Sequence, residues 1–388
     1  MVCQLETLLR CFPASLRVAL NKLPKTLDET YQRILLEIEE ENTEYAHRLF
    51  QCLTISFRPL RVEELAEVLA IRFDDGEAPD YHPDWRLEDA QDAVLSACSS
   101  LIVIVNVDGC LIVQFSHFSV KEFLISDRLA SASENLSCYH VLPRSAHTIL
   151  AQASLSSLLR LDDQVDKSSM KNYPLSIYAA QHWVEHGQFE NVSSYIQELM
   201  EQLFDPSKPH FSTWVWIYDV DQPWDWVDHM SSERPGRPEA DGLYYASLCG
   251  FRNIVEYLIA NCQGDVNVRG GMYQTPLHAA LAKGHFDIAL MLLEHGADVN
   301  IRDDQGHSPL HTASFKGRRD IVAFLLARKK SVEVENGKGK IALDGTRDNE
   351  ELDATRGLLR HKVAVDFRDR SGQTALMLAS QYGHLDIV

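Results

Sequence analysis

The chain has 388 residues, 45% of them hydrophobic and 24% charged, a composition typical of a globular protein long enough for two or three domains. Its net charge of −19 is uneven: residues 1–130 carry −10, residues 131–235 carry −8 and residues 236–388 carry −1. An acidic surface repels phosphate backbones, so this distribution argues against non-specific nucleic-acid binding. The change near residue 235 predicts a domain boundary there.

Signals for secretion, membrane insertion and metal binding are missing from the sequence. Glu6 and Arg10 interrupt the apolar pattern at the N-terminus, which argues against a signal peptide, and no run of about 18 apolar residues predicts a membrane span. None of the eight cysteines belongs to a C-x-x-C pair. We therefore expect a cytoplasmic protein with reduced, mostly buried thiols, no cofactor, no metal and no membrane partner.

The first hundred residues predict a series of helices. Segment Leu23–Glu40 should form a helix capped by Thr26 and Glu29, which have the spacing of a capping box. Its apolar residues recur at helical spacing and predict one buried stripe: Leu27, Tyr31, Ile34, Leu35 and Ile38. Three more helices are predicted: Tyr45–Leu53, Val62–Ile71 and Glu88–Cys98.

A β-hairpin is predicted next, at Ser100–Phe115, because two apolar runs flank the favoured turn pair Asp108-Gly109. The following segment, "HFSVKEFLIS", predicts a helix in which Ser119 and Glu122 have capping-box spacing. His117 at its start is predicted to make a structural hydrogen bond instead of acting as a catalytic base. Helices followed by a hairpin indicate a winged helix.

The C-terminal part contains a repeat of about 33 residues. "QTPLHAALAKGHFDIALMLLEHGADVN" recurs as "HSPLHTASFKGRRDIVAFLLARKKSVE", and the register of one leucine marks five units: Leu243, Leu277, Leu310, Leu343 and Leu376. Thr275 and Ser308 are predicted helix caps, each followed by a proline at the first helical position. Glycines are predicted to end the first helix of four units: Gly250, Gly284, Gly317 and Gly383. Ile288, Leu292 and Leu293 share the buried face of a second helix.

The period and the T-P-L-H-x-A core resemble ankyrin repeats. In that register the Gly-Lys pair Gly339-Lys340 is the finger turn of a degenerate fourth repeat, and it is no phosphate-binding loop, because Val334 and Ile341 replace the required glycine and Ser/Thr. An array of such repeats is a binding scaffold with no inherent catalytic pocket. Aromatic residues in Phe211–Trp226 allow two interpretations, a hydrophobic cap over the first repeat or a ligand patch, and capping is favoured.

The segments "LPKTLDETY", "FRPLRVEELAEVLAI", "CSSLI", "HFSVKEFL" and "YPLSIYAAQHWVEHG" together resemble the C-terminal part of fungal NACHT–ankyrin proteins of the STAND type. In those proteins a winged helix of the GPI inositol-deacylase type precedes ankyrin repeats. The resemblance implies a mainly α fold, with a winged helix, a helical linker and an ankyrin α-solenoid. In that family the nucleotide-binding NACHT module would lie upstream of residue 1, and its phosphate-binding loop does not appear in this sequence.

Four domains follow from this resemblance and the charge boundary. They are a helical tail resembling the end of a NACHT module, 1–42; the winged helix, 43–130; a helical linker and cap, 131–235; and five ankyrin repeats, 236–388, the fourth degenerate and the fifth truncated.

We interpret the chain as a non-enzymatic scaffold for protein–protein interaction, the sensing part of a NACHT-type signalling protein. One alternative is a fragment of a signal-transducing NTPase whose phosphate-binding loop lies upstream. A second is a winged-helix DNA-binding regulator, which the acidic side chains Glu63, Glu64 and Glu67 on the third helix argue against. Lipid-anchor hydrolysis is disfavoured because no G-x-S-x-G motif is present.

The predicted partners are a protein on the concave ankyrin face and a NACHT module in cis or in trans, with no nucleic acid. Finger tips and first-helix ends of ankyrin repeats are implied to face the partner. The predicted contact residues are Met272, Gln274, Lys283, Asp304, His307, Phe315, Lys316, Arg370 and Tyr382.

Overall fold

The computed structural model describes residues 26–73, 78–85, 89–98, 100–223, 238–261, 265–298, 301–302 and 308–309. The described residues fall into two compact units that divide between Ser156 and Ser157. Their secondary structure is mainly helical, with two small antiparallel hairpins. The mainly α fold class predicted from the sequence is therefore confirmed.

The first unit contains short helices and both hairpins. Its helices are α1 Leu27–Leu36, α2 Thr43–Ile55, α3 Val62–Leu69, α4 Ala90–Cys98, α5 Phe118–Leu124, α6 Asp127–Ala130, α7 Glu134–Ser137 and most of α8 Pro143–Leu159, with 3-10 turns at Glu40–Asn42 and Pro83–Trp85. Its strands are β1 Ile71–Arg72, β2 Asp80–Tyr81, β3 Ile102–Val107 and β4 Cys110–Phe115.

Helix α1 begins as predicted but buries less of its apolar stripe than expected. The Thr26 hydroxyl accepts a hydrogen bond from the Glu29 N–H (3.1 Å), which fixes the first turn. Tyr31 and Leu35 are buried. Leu27 is 59% exposed, so the prediction of burial was wrong there, because no element in the described part of the chain covers the first turn on that side.

Helix α3 ends at Leu69, two residues earlier than predicted, because Ile71 instead pairs with Tyr81 in the first hairpin. Its acidic residues also lie differently from the prediction. Glu64 and Glu67 are buried, at 1% and 0% exposure, and only Glu63 is exposed. The argument that all three side chains would face a phosphate backbone was therefore wrong.

The second hairpin forms where the sequence predicted it. Asp108 and Gly109 both have positive φ values, 51° and 84°, as the two-residue turn between β3 and β4 requires. One face of the hairpin packs into the unit, where Val113 is buried and the rings of Phe115 and Phe50 lie 6.3 Å apart. The hairpin is thus attached to α2.

His117, not Ser119, caps helix α5. The His117 Nδ1 atom accepts a hydrogen bond from the Ser119 N–H (3.2 Å) and lies 2.6 Å from the Ser119 Oγ. The Ser119 hydroxyl also contacts the hydroxyl of Tyr31 at 2.7 Å, which joins α5 to α1. The predicted capping role of Ser119 was wrong, whereas the structural role predicted for His117 is confirmed.

The second unit is helical in its described part. After the end of α8 it contains α9 Ser176–Gly187, α10 Val192–Tyr195, α11 Gln197–Leu203, α12 His210–Ile217, α13 Gly242–Cys249, α14 Arg252–Asn261, α15 Pro276–Lys283 and α16 Phe286–Glu294, with a 3-10 turn at Ser169–Asn172. The helix pairs α13–α14 and α15–α16 are the first two units of the predicted repeat.

The cysteines in the described residues are all free thiols. Cys52, Cys98 and Cys249 are buried, whereas Cys110 and Cys138 are exposed. Burial raises the pKa of the Cys52 thiol to about 12, so it stays protonated at neutral pH.

Candidate protein-binding surface of the ankyrin repeats

Both described repeats have a side-chain cap at the start of their first helix and a left-handed glycine at its end, and of the two caps only Thr275 was predicted. The Asp241 carboxylate accepts a hydrogen bond from the Tyr244 N–H at the start of α13 (3.0 Å), and the Thr275 hydroxyl accepts one from the His278 N–H at the start of α15 (3.3 Å). Pro276 occupies the first turn of α15. Gly284 ends α15 in the left-handed conformation, as predicted.

Gly250 is needed both for its backbone conformation and for the contact between repeats. Its φ of 79° lies in the left-handed region, and a Cβ atom placed there would lie 2.5 Å from the His285 ring. His285 Nε2 donates a hydrogen bond to the Leu248 carbonyl (3.2 Å), which links the second repeat to the first. Burial lowers the pKa of His285, so the ring is neutral at neutral pH.

An aromatic cluster covers the beginning of the repeat array. On α12, the rings of Phe211 and Trp214 lie 5.3 Å and 6.0 Å from the ring of Tyr245 on α13. Trp183 on α9 stacks on Phe251 at 5.1 Å. The predicted capping role is therefore confirmed for this cluster as far as residue 223, and Trp224 and Trp226 lie outside the described residues.

The residues after α12 hold the finger loop between the first two repeats. The Asp221 Oδ2 atom accepts hydrogen bonds from the Tyr244 hydroxyl (2.9 Å) and from the backbone N–H of Met272 (2.6 Å). The Tyr244 hydroxyl in turn accepts one from the Tyr273 N–H (3.0 Å). The finger is thus fixed by hydrogen bonds to a residue about 50 positions earlier in the chain.

A second aspartate supports the same arrangement. The Asp219 Oδ1 atom accepts hydrogen bonds from the Tyr245 hydroxyl (2.8 Å) and from the Asp221 N–H (2.9 Å). Burial raises the pKa of the Asp221 carboxyl, and the hydrogen bonds from Met272 and Tyr244 offset only part of that effect. Burial also raises the pKa of Tyr244 and Tyr245, which keeps both phenols protonated as donors.

Three predicted contact residues lie on or beside this finger. Met272 is 52% exposed at the tip, and Lys283 is exposed at the end of α15. The Lys283 Nζ atom lies 5.9 Å from the ring centroid of Tyr273, so the finger and the helix end form one surface. Gln274 is half-buried, and its amide donates a hydrogen bond to the Gly271 carbonyl within the finger (3.3 Å).

Gln274 therefore shapes the finger, while Met272 and Lys283 face outward.

Sequence reasoning missed Tyr273 and Asp221. Their only sequence signals were the aromatic residue in the finger and the D-x-D spacing of Asp219 and Asp221. The remaining predicted contacts lie outside the described residues: Asp304, His307, Phe315, Lys316, Arg370 and Tyr382.

The described residues offer neither a metal site nor a membrane-spanning helix. No group of three or more His, Cys, Asp or Glu side chains there could hold a metal ion. Within the same residues, no helix is both long enough and apolar enough to cross a membrane. The buried His278 pairs through Nδ1 with the Thr275 hydroxyl (2.9 Å), a structural contact at the start of α15.

Comparison with known protein families agrees with this architecture. Residues 35–134 match the family described as "GPI inositol-deacylase, winged helix domain". Residues 243–336 match "Ankyrin repeats (3 copies)", and residues 371–388 match "Ankyrin repeat". The chain thus combines a winged helix domain of that type with ankyrin repeats, a module that in general binds proteins. The four domain boundaries given above stay predictions.

One similar protein is fungal. The chain is 31% identical over 297 residues to "Azaphilone pigments biosynthesis cluster protein L" of Monascus ruber. The aligned region covers 72% of this chain and 61% of that protein, so the chain spans less than two thirds of its relative.

Proposed function

We propose that the chain is a non-enzymatic scaffold whose ankyrin repeats bind a protein partner through the finger surface, defined as Met272, Tyr273 and Lys283. The observation that carries this proposal is the fixed finger. Its backbone is tied to Asp221 and Tyr244, while the Met272 side chain remains 52% exposed. A loop fixed in this way loses little conformational entropy on binding, which favours affinity.

The chemistry of the surface fits an acidic partner segment with an apolar side chain. Lys283 makes no ion pair within the described residues, and its ammonium group lies over the Tyr273 ring. Met272 supplies a flexible apolar contact beside it, a residue type that is common at adaptable binding surfaces. Aromatic and cationic groups close together are typical of binding hot spots.

Quantitative affinity capture with matched variants tests this proposal. We expect a specific partner to bind the wild type and the Lys171→Glu control equally, because Lys171 is exposed on the 3-10 turn Ser169–Asn172, which is not part of the finger surface as defined. The same partner should be lost with Lys283→Glu or Met272→Asp. Equal capture by all four proteins would contradict the assignment of the finger surface.

We further propose that this scaffold is the sensing part of a NACHT-type signalling protein. The support is the resemblance of the segments quoted above and the match to a longer fungal protein. The alternative, a fragment of a signal-transducing NTPase, predicts an in-frame phosphate-binding loop encoded before Met1. Sequencing of the full-length transcript separates the two. For the chain itself, calorimetry with ATP and GTP should show no binding, and micromolar affinity would overturn the scaffold proposal.

DNA binding by the winged helix is the weaker alternative. The hairpin and its flanks, from Leu101 to Phe118, contain no lysine or arginine to contact phosphates, and their one acidic residue is Asp108. A salt-sensitive shift of duplex DNA in a gel would support this alternative.

A further inference from the structure

Strand β3 is an edge strand. In the wing, defined as β3 and β4, the two strands pair in an unbroken register from Ile102–Phe115 to Val107–Cys110. The other edge of β4 is occupied, because the Val113 N–H donates to the Leu60 carbonyl (2.9 Å) and Ile112 bridges Arg61. In the described residues β3 has no second neighbour.

The register determines which backbone groups of β3 point outward. Because the Val113 N–H is directed to Leu60, Val113 and the opposite residue Ile104 form a non-hydrogen-bonded pair. The alternation of an antiparallel ladder then directs the N–H and C=O groups of Ile104 and Asn106 away from β4. Ile102 is only 2% exposed, so the open part of the edge runs from Ile104 towards the turn.

One face of the wing carries a row of valines and no charged residue. Val103, Val105 and Val107 lie on the face opposite to the buried Ile102, and Val103 and Val107 are 38% and 45% exposed. Proteins usually protect an edge strand with a lysine, a proline or a bulge. Strand β3 contains no lysine, no proline and no bulge, so its open edge can pair with another strand.

We infer that β3 pairs antiparallel with β3 of a second copy of this chain, on a two-fold axis at Val105. In this register Ile104 of one copy lies opposite Asn106 of the other, and each such pair exchanges backbone hydrogen bonds in both directions. Val105 meets Val105 on the axis, and Val103 meets Val107. The two wings then form one four-stranded sheet with a continuous valine stripe on its outer face.

Self-complementarity favours a second copy over another occupant. The exposed valines are placed symmetrically about Val105, and opposite β-branched residues stabilise a strand pair. The strand is neutral, so a like-charged copy meets no repulsion at the contact. The two Asp108 side chains would lie about 20 Å apart at opposite ends of the sheet, well beyond the screening length of about 8 Å.

Sedimentation velocity of the full chain tests the inference. We expect a monomer–dimer equilibrium over the micromolar range. Val105→Lys should weaken dimerisation by at least about tenfold, because it places two cations on the axis. Gln114→Lys is the matched control, since Gln114 is exposed on the same face but lies on β4, and it should dimerise like the wild type. Circular dichroism checks that both variants fold.

Cross-linking tests the register itself. Residues opposite each other in a non-hydrogen-bonded pair have Cα atoms about 4.5 Å apart, within the range that a disulfide spans. Under oxidised glutathione, Val105→Cys should give a disulfide-linked dimer, whereas Gln114→Cys and the wild type, with its exposed Cys110 and Cys138, should not. The inference is overturned by a monomer at every concentration, by a dimer unaffected by Val105→Lys, or by equal cross-linking through residue 114. Pairing of β3 only with a strand of a different protein, and not with a second copy, would also overturn the inference.

Discussion

Each unit contains a buried carboxylate that holds backbone in place, and the two differ in what compensates their charge. In the first unit both oxygens of Glu64 are bound: Arg58 donates to each of them (2.6 and 2.8 Å), and the Arg61 N–H donates to Oε2 (2.8 Å). In the second unit Asp221 accepts hydrogen bonds only on Oδ2, one from the Tyr244 hydroxyl and one from the Met272 N–H. Its Oδ1 is buried without a hydrogen-bond partner in the described part of the chain.

Because their hydrogen-bond donors differ, the two carboxylates are suited to different roles. A bidentate arginine fixes a charged group permanently, so Glu64 is a structural element of α3. Burial raises the pKa of Asp221, and the hydrogen bonds from its two neutral donors offset that effect only in part. The first arrangement stabilises a helix start. The second positions a finger loop.

The largest expected effect is the loss of the Glu64 ion pair. Glu64→Ala removes both Arg58 contacts and the acceptor for the Arg61 N–H, and should destabilise the first unit by about 3 kcal/mol, the lower end of the range for breaking a buried pair, because Arg58 can turn towards solvent. Urea denaturation measures the change. Glu63→Ala, on the exposed face of the same turn, should change stability by less than about 0.5 kcal/mol. Similar losses of unfolding free energy in the two variants would show that the ion pair does not contribute to stability.

A smaller effect is expected from Asp221→Ala. It leaves the Met272 N–H and the Tyr244 hydroxyl without their acceptor, at a cost of about 2 kcal/mol. Because the lost contacts belong to the finger, amide hydrogen exchange should accelerate at Met272 and Tyr273. Exchange at Leu65 and Val68 in α3 serves as the internal control. Unchanged exchange in the finger would contradict its attachment to Asp221.

The raised pKa of Asp221 predicts a pH dependence of stability. Since the folded-state pKa of Asp221 lies above its usual value of 3.8, the folded state binds more protons between the two values, and this group's contribution to stability falls as pH rises. Relative to Asp221→Asn, which does not titrate, the wild type should therefore gain stability as pH is lowered from 7 towards 4.

Denaturation of both proteins at matched pH values measures this difference. The comparison with the asparagine variant is needed because the lowered pKa of His285 has the opposite sign: its contribution is lost as pH falls below about 6.5. A wild-type-minus-variant difference that stays constant with pH would show that Asp221 does not titrate in this range.

The smallest expected effect is that of Lys283→Met. Lys283 lies near Asp221 but is the weakest of the influences on its pKa, so it is no counterpart of Arg58. Its removal should cost about 0.5 kcal/mol through the lost contact with Tyr273. Thermal denaturation measures that loss, and Lys171→Met is the control. A loss of several kcal/mol would mean that Lys283 compensates the Asp221 charge after all.

Predictions from the sequence succeeded where local backbone chemistry decides the structure. The caps at Thr26 and Thr275 and the turn at Asp108-Gly109 depend on residues within a few positions of one another, and the structure confirms them. The helix-ending glycines, Gly250 and Gly284, follow from the same local rule. Three predictions were wrong: the burial of Leu27, the capping role of Ser119 and the exposure of all three acidic side chains on α3.

The sequence by itself determined the class of this protein: a repeat of about 33 residues with its caps and glycines, preceded by helices and a hairpin, because each of these signals is written in short-range spacing. Only the tertiary structure decided which polar groups are buried. Glu64 is buried because α3 packs into the first unit and Arg58 compensates its charge, and Asp221 reaches the finger because α12 packs on the first repeat. Contacts between residues about 50 positions apart leave no periodic pattern in the sequence, so the arrangement that positions the finger surface emerged only from the packing.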